Sequence, residues 1–169
     1  GWVIYNTINS ENGKDGYVMS STKIAKTLAQ KGWGTWTQEF SIPKNHKDSD
    51  FRTGDIFSMN GHVWICLGTC EDGSIVIAHS TPSNSVSGQP GGGIQISAIG
   101  TPNCQAYALA QKYMSTFYPD WNSRYNVIVK NPSDYTKIKK ETTAGKFSWN
   151  LTNGILTDPD SYATKTAEE

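Results

Sequence analysis

Charge is scarce and balanced in this 169-residue chain: Lys and Arg number 15, Asp and Glu number 15, and the formal net charge at pH 7 is zero. That argues against a nucleic-acid binder, which shows a basic excess. It gives no electrostatic attraction to an anionic membrane either. Long apolar runs are missing as well. Runs such as Ile75-Val76-Ile77-Ala78 are the size of a strand, far short of the roughly 20 residues that a membrane-spanning helix needs. Neither a nucleic-acid partner nor an integral membrane segment is therefore expected. Cysteine is sparse: three residues cannot staple a disulfide scaffold, and an odd number leaves at least one unpaired. What the chain does have is 16 Gly, 6 Trp and 8 Tyr against only 18% charged residues. Disordered chains show the reverse balance, and this one leans toward an extracellular, β-containing domain. Its length suits one domain with a core that needs neither disulfides nor metal.

The first apolar stretch, Gly1-Trp2-Val3-Ile4-Tyr5 with Ile8, has no capping residue before it and reads as a helix entered from within. A polar loop, Asn9 to Asp15, follows. Ser20 or Ser21 is then expected to cap a second helix, with Ile24, Ala25 and Leu28 on one face and Gly32 as its stop. Trp33-Gly34-Thr35-Trp36 and the polar stretch from Pro43 to Asp50 read as a connection. From Gly54 the apolar period becomes two, and Ile56–Met59, His62–Leu67, Ser74–His79 and Gly93–Ser97 read as strands. Glu71-Asp72-Gly73 is a hairpin turn between the middle two. Pro82 to Gly93 reads as a long Ser/Gly/Pro-rich loop. Thr101-Pro102-Asn103 opens a helix carrying Ala106, Tyr107, Ala110, Tyr113, Met114 and Phe117, and Tyr125 to Val129 is a last strand. The expected architecture is α+β, with N-terminal helices on a central antiparallel sheet of about five strands. Residues 1–130 form the domain. Residues 131–169 read as a polar extension or the start of another module, with one alternating piece, Phe147, Trp149 and Leu151.

Two histidines stand out. His62 begins one strand and His79 ends the next, so an antiparallel hairpin turning at Asp72-Gly73 makes them neighbours. Such a pair suits a base and its orienter: the first takes a proton from a nucleophile, and the second fixes its tautomer through the other ring nitrogen. Taken singly, each histidine reads first as a loop-edge residue bonded to backbone. His46, in a Lys/Asn/Asp loop, is expected to be solvated. Asp55 is expected to hold the turn before its strand. Cys66 shares a strand face with His62 but lies ~13 Å along the strand, too far for a hydrogen bond. The set His62, Cys66, Cys70 and His79 matches no standard zinc spacing, so no metal or other cofactor is expected. Cys104 starts a helix without any further catalytic pattern around it.

The surrounding pattern resembles the NlpC-type family of papain-like cell-wall cysteine peptidases. It carries Gly54-Asp55-Ile56-Phe57, then Gly61-His62-Val63-Trp64-Ile65-Cys66-Leu67-Gly68, then Ile77-Ala78-His79. Gly1-Trp2-Val3 resembles the end of the family's Asp-Cys-Ser-Gly-(aromatic)-Val motif, and Met19-Ser20-Ser21 the segment opening its next helix. The likeness runs from Gly1 to about Ser97. Two departures are visible: Cys70 to Gly73 lengthen the hairpin, and Trp64 stands where the family has Gly. The resemblance implies a papain-like fold with His62 as general base and His79 as its orienter. It puts the nucleophilic Cys two residues before Gly1, so Gly1 is expected no more than ~12 Å from His62. Ser21, Trp64 and Ser80 are implied substrate contacts, and the loop from Pro82 to Gly93 one wall of the cleft. The implied substrate is a peptidoglycan stem peptide, cut near D-Glu and a diamino acid by a monomer that is secreted or wall-associated in bacteria. A chain beginning at Gly1 is then expected to be inactive. Two alternatives remain open: a CHAP-type peptidoglycan amidase, and a non-catalytic wall-binding module using Trp33, Trp36, Trp64 and Trp121 as a stacking surface.

Overall fold

A computed structural model describes residues 19–80 and 93–169. The N-terminal helix expected over Gly1 to Ile8, the position of Gly1 relative to His62 and the loop expected after Pro82 lie outside the described residues. The chain is mixed α and β. In order come α1 (Ile24–Gln30), β1 (Gly34–Thr37), β2 (Ile56–Met59), β3 (His62–Thr69), β4 (Ile75–Ser80), β5 (Ile94–Ile99), α2 (Gln105–Phe117), α3 (Pro119–Arg124), β6 (Val129–Lys130), α4 (Pro132–Tyr135) and β7 (Gly145–Trp149). One seven-stranded sheet runs β1-β7-β2-β3-β4-β5-β6, antiparallel except for the β5–β6 pair. Among the described residues no helix is long and apolar enough to cross a membrane.

The period of two along the strands gives the sheet two different faces. One buries Phe57, Trp64, Cys66, Ile75, Ile77 and Ile99 beneath Phe51, with Phe40, Tyr135 and Ile138 packed against them. The other takes the helices. Ile24, Ala25 and Leu28 of α1 pack with Trp33, Ile56 and Phe147. Ala106 of α2 meets Val76 and Ala98, while Ala110 and Met114 meet Val127. The apolar spacing of α1 and the stop at Gly32 (φ +76°) are as expected. The serines do other work. Lys23 occupies the N-cap without a side-chain bond, and the buried amide of Ala25 donates to the buried Ser58 Oγ at 2.9 Å. A β2 side chain therefore satisfies a helix-start donor that a cap would otherwise take. Ser21 Oγ accepts from Gly61 N at 2.9 Å. On α2, Tyr113 and Phe117 are exposed although both fit the helical period.

Seven strands replace the expected five because two segments read otherwise join the sheet. Gly34–Thr37, expected as connection, pairs with β7 along its whole length. β7 in turn pairs with β2, so it lies between β1 and β2 and the sheet does not close at residue 130. The proposed boundary there is corrected: residues after 130 supply an interior strand. Its entry into the sheet is tight. Gly145 has φ +156°, and a Cβ there would lie 2.5 Å from the Thr37 carbonyl oxygen, so only glycine fits. The expected last strand shrinks to Val129–Lys130, with Tyr125 and Val127 buried just before it.

Phe147 is fully buried where α1, β1 and β2 converge. Phe147→Ala is expected to cost about 3–5 kcal/mol in urea unfolding. A chain ending before Gly145 is expected to lose its cooperative transition. A cooperatively folded truncated chain would restore the separable extension.

Candidate functional site

The β3–β4 register places the histidines. Trp64 lies opposite His79, and Cys66 opposite Ile77. Directly paired residues share a face, and so do residues two apart on one strand. His62, Trp64, Cys66 and His79 therefore point the same way, with His62 diagonal to His79. Their rings meet edge to face, centroids 5.1 Å apart at 84°, and His62 Nε2 lies 2.9 Å from His79 Nδ1. The two imidazoles share a hydrogen bond, as the hairpin reading required.

A third side chain joins them that sequence reasoning missed. Tyr135 Oη lies 3.3 Å from His62 Nε2 and 3.4 Å from His79 Nδ1. Its helix is one turn long. Asn131 caps it by accepting from Ser133 N at 3.0 Å, with Pro132 at the first helical position. The local signal Asn-Pro-Ser marks a helix start, but nothing local says what the Tyr at its end will touch. That is decided by Trp64, whose indole Nε1 donates to the Tyr135 carbonyl at 2.9 Å.

The implied substrate contacts fare differently. Trp64 has no solvent exposure; it is stacked on Phe57 at 4.9 Å and covered by Phe51. It is a core residue that anchors Tyr135, and a cleft-wall role is excluded by its burial. Ser80 is exposed at the end of β4 and pairs with Ile94; as the neighbour of His79 it faces the opposite side of the sheet, away from the imidazoles. Ser21 supports the turn from which His62 starts. Asp55 does as expected: its buried carboxylate accepts from Arg52 N at 3.0 Å, and Lys146 Nζ stands 3.3 Å away. His46 is not simply solvated, since its Nδ1 lies 3.0 Å from the Thr69 carbonyl oxygen and donates to it. Trp33 and Trp64 are buried, so the four tryptophans form no common stacking surface.

All three cysteines are buried and free. Burial drives the Cys66 thiol far above its ordinary value and the Cys70 thiol up to about 12, so neither supplies a thiolate near neutral pH. Among the described residues no three His, Cys, Asp or Glu side chains converge on a metal position.

Burial also holds both histidines below the ordinary imidazole value. It is the main cause for His62, aided by the Lys130 cation. For His79, pushed down to about 4, burial is followed by the neighbouring His62 and then Lys130. Both rings are therefore neutral at pH 7. Burial raises the Tyr135 phenol, which stays protonated. With Nε2 of His62 engaged, its Nδ1 is the nitrogen left to take a proton. Among the described residues the buried His79 Nε2 has no hydrogen-bond partner.

No protein-family model, curated protein or solved structure matches the chain.

A histidine whose folded value is depressed takes up protons more readily when unfolded. Its contribution to stability is complete above pH 6.5 and is lost as pH falls toward 4. The loss is on the order of 3 kcal/mol for His79. Urea unfolding between pH 7 and pH 4 is expected to show that slope, and His79→Gln to flatten it.

Proposed function

We propose that this chain is the histidine-bearing part of a papain-like cysteine hydrolase of the NlpC type, acting on the peptidoglycan stem peptide near D-Glu and a diamino acid. The observation that carries the reading is the 2.9 Å contact between His62 Nε2 and His79 Nδ1. It gives His62 the one arrangement a general base needs: one ring nitrogen held by a partner, the other without a partner among the described residues. When His62 Nε2–H donates to His79 Nδ1, the lone pair of His62 stands on Nδ1. His79 then acts as orienter by selecting that tautomer.

The thiol it serves is the Cys placed by resemblance two residues before Gly1. Three further features support that reading. Ser21, which resembles the start of the family's second helix, is bonded to Gly61 beside His62, so the chain leading to α1 passes the histidine end of the sheet. The pair stands on an antiparallel sheet with helices packed on its other face. Among the described residues no carboxylate acts on the histidines, leaving a neutral base ready to accept.

In the proposed reaction His62 Nδ1 takes the thiol proton, and the thiolate attacks the peptide carbonyl carbon. The tetrahedral species collapses to a thioester as His62 returns the proton to the departing amine. Water, deprotonated by the same nitrogen, then attacks the thioester and releases the acid and the thiol. Under this proposal the protein acts outside the bacterial membrane or in the wall, where such a substrate is.

The test uses a chain carrying the residues before Gly1, incubated with purified stem peptides and read by mass spectrometry. Cleavage blocked by thiol alkylation is expected. His62→Ala is expected to lower kcat by about 10³-fold or more, and His79→Gln by about 10- to 100-fold, since removing a base costs more than loosening it. A residue other than Cys two positions before Gly1, or turnover by the chain starting at Gly1, would overturn the proposal.

A further inference from the structure

We infer that Tyr135 is a positioning residue of the histidine pair, its hydroxyl oxygen being a second acceptor for the N–H that joins the two imidazoles. The catalytic consequence rests on the general-base reading of His62; the geometry does not.

Three polar atoms form a closed triangle. His62 Nε2 and His79 Nδ1 are 2.9 Å apart, and Tyr135 Oη lies 3.3 Å from the first and 3.4 Å from the second. An oxygen so nearly equidistant from the two facing nitrogens can share whichever N–H stands between them, a three-centre arrangement. The phenol ring is tilted against His62, centroids 5.2 Å apart, and meets His79 edge-on at 5.9 Å. Neither contact is left to chance. The Tyr135 carbonyl is pinned by the fully buried Trp64, and its short helix is capped by Asn131.

The electrostatics give that oxygen a task. A base that accepts a proton becomes an imidazolium, and this one forms in a partly buried site. Among the described residues the titratable or charged groups acting on His62 are its partner His79, Tyr135 and the Lys130 cation. None is an anion, and Lys130 opposes the new charge; its Nζ lies 5.5 Å from the Tyr135 ring centre. Two neutral lone pairs therefore face the Nε2 proton of the imidazolium: His79 Nδ1 and Tyr135 Oη. Hydrogen bonding to a charged form favours that form. Tyr135 raises the basicity of His62 that burial and Lys130 lower.

The test reads the imidazoles directly by ¹⁵N NMR across a pH titration, in the chain as it stands. No nucleophile is needed. Tyr135→Phe keeps the ring and the backbone carbonyl that Trp64 holds. It is expected to move the His62 titration down by about half a unit or more, and Lys130→Met to move both His62 and His79 up. The directions separate the roles. If Tyr135 only filled space, its replacement would either leave His62 where it was or admit water and move it up; either result overturns the inference. In a chain that carries the nucleophile, Tyr135→Phe is expected to lower kcat about tenfold with KM unchanged, the effect of one lost hydrogen bond. Should that chain hydrolyse nothing while the downward NMR shift is found, the hydrolase reading fails and the positioning role stands.

Discussion

The pairing of β3 with β4, with Trp64 opposite His79, is the constraint on which the site depends. A slip of one residue would send one histidine to the helix-covered face and leave the other alone. The register is fixed at the end of the hairpin away from the histidines. Gly73, at φ +79°, turns the chain where another backbone, at Pro43 and Lys44, passes too close for any side chain. Asp72 then ties the turn to α2. Its Oδ2 accepts from Gln105 N at 2.9 Å, and Gln105 Oε1 accepts from Asp72 N at 2.8 Å. Asp72 Oδ1 meanwhile accepts from Ser74 N. Burial disfavours the charged carboxylate, yet these donors outweigh it and hold Asp72 below its ordinary value. The helix start is thereby satisfied by the hairpin, and the hairpin by the helix, as in a reciprocal cap.

Trp64 then converts register into chemistry. Its ring fills the core against Phe57 and Phe51, and its buried N–H must find an acceptor or cost about 1–3 kcal/mol. The acceptor it finds is the carbonyl of Tyr135. Satisfying that donor places the phenol beside the two imidazoles. The residue that the resemblance implied as a substrate contact is thus a buried anchor for Tyr135. It acts through a helix that belongs, in the chain, to the segment after residue 130.

That segment marks the limit of what the sequence discloses. The hairpin of His62 and His79 was legible because everything that specifies it is local: two alternating runs, an Asp-Gly turn between them, and a histidine at the open end of each. The apolar face of α1 and its glycine stop were legible for the same reason. β1 and β7 were not. Gly34–Thr37 is four residues long and pairs with residues 146–149, a partner more than a hundred positions away that no local period announces. Ser21 shows a different failure. Its residue type suits a cap, but its oxygen is taken by Gly61 N, because tertiary neighbours compete for the same hydroxyl. Tyr135 combines both: a short capped helix is readable from Asn131-Pro132, its destination only from the fold.

The buried pair of Asp55 and Lys146 shows how the late strand and the early motif are made one structure. Lys146 lies opposite Phe57 on β2, and Asp55 alternates with Phe57, so both ionic groups fall on the histidine face of the sheet. Burial raises the Asp55 carboxyl, and Lys146 works against that rise. A buried ion pair adds little net stability over an apolar pair, but breaking one partner leaves a stranded charge. Its effect here is on alignment. Moving β7 by one residue along β2 would turn Lys146 to the opposite face, away from Asp55 and from the Asp50 carbonyl that it also bonds. Asp55 itself sits beside Cys66, whose N–H donates to its carbonyl, roughly 13 Å along β3 from His62. The acid of the Gly-Asp-Ile-Phe pattern is therefore too far away to touch the imidazoles. It fixes the strand order that puts them on a covered face, and so sustains the burial that keeps both histidines neutral.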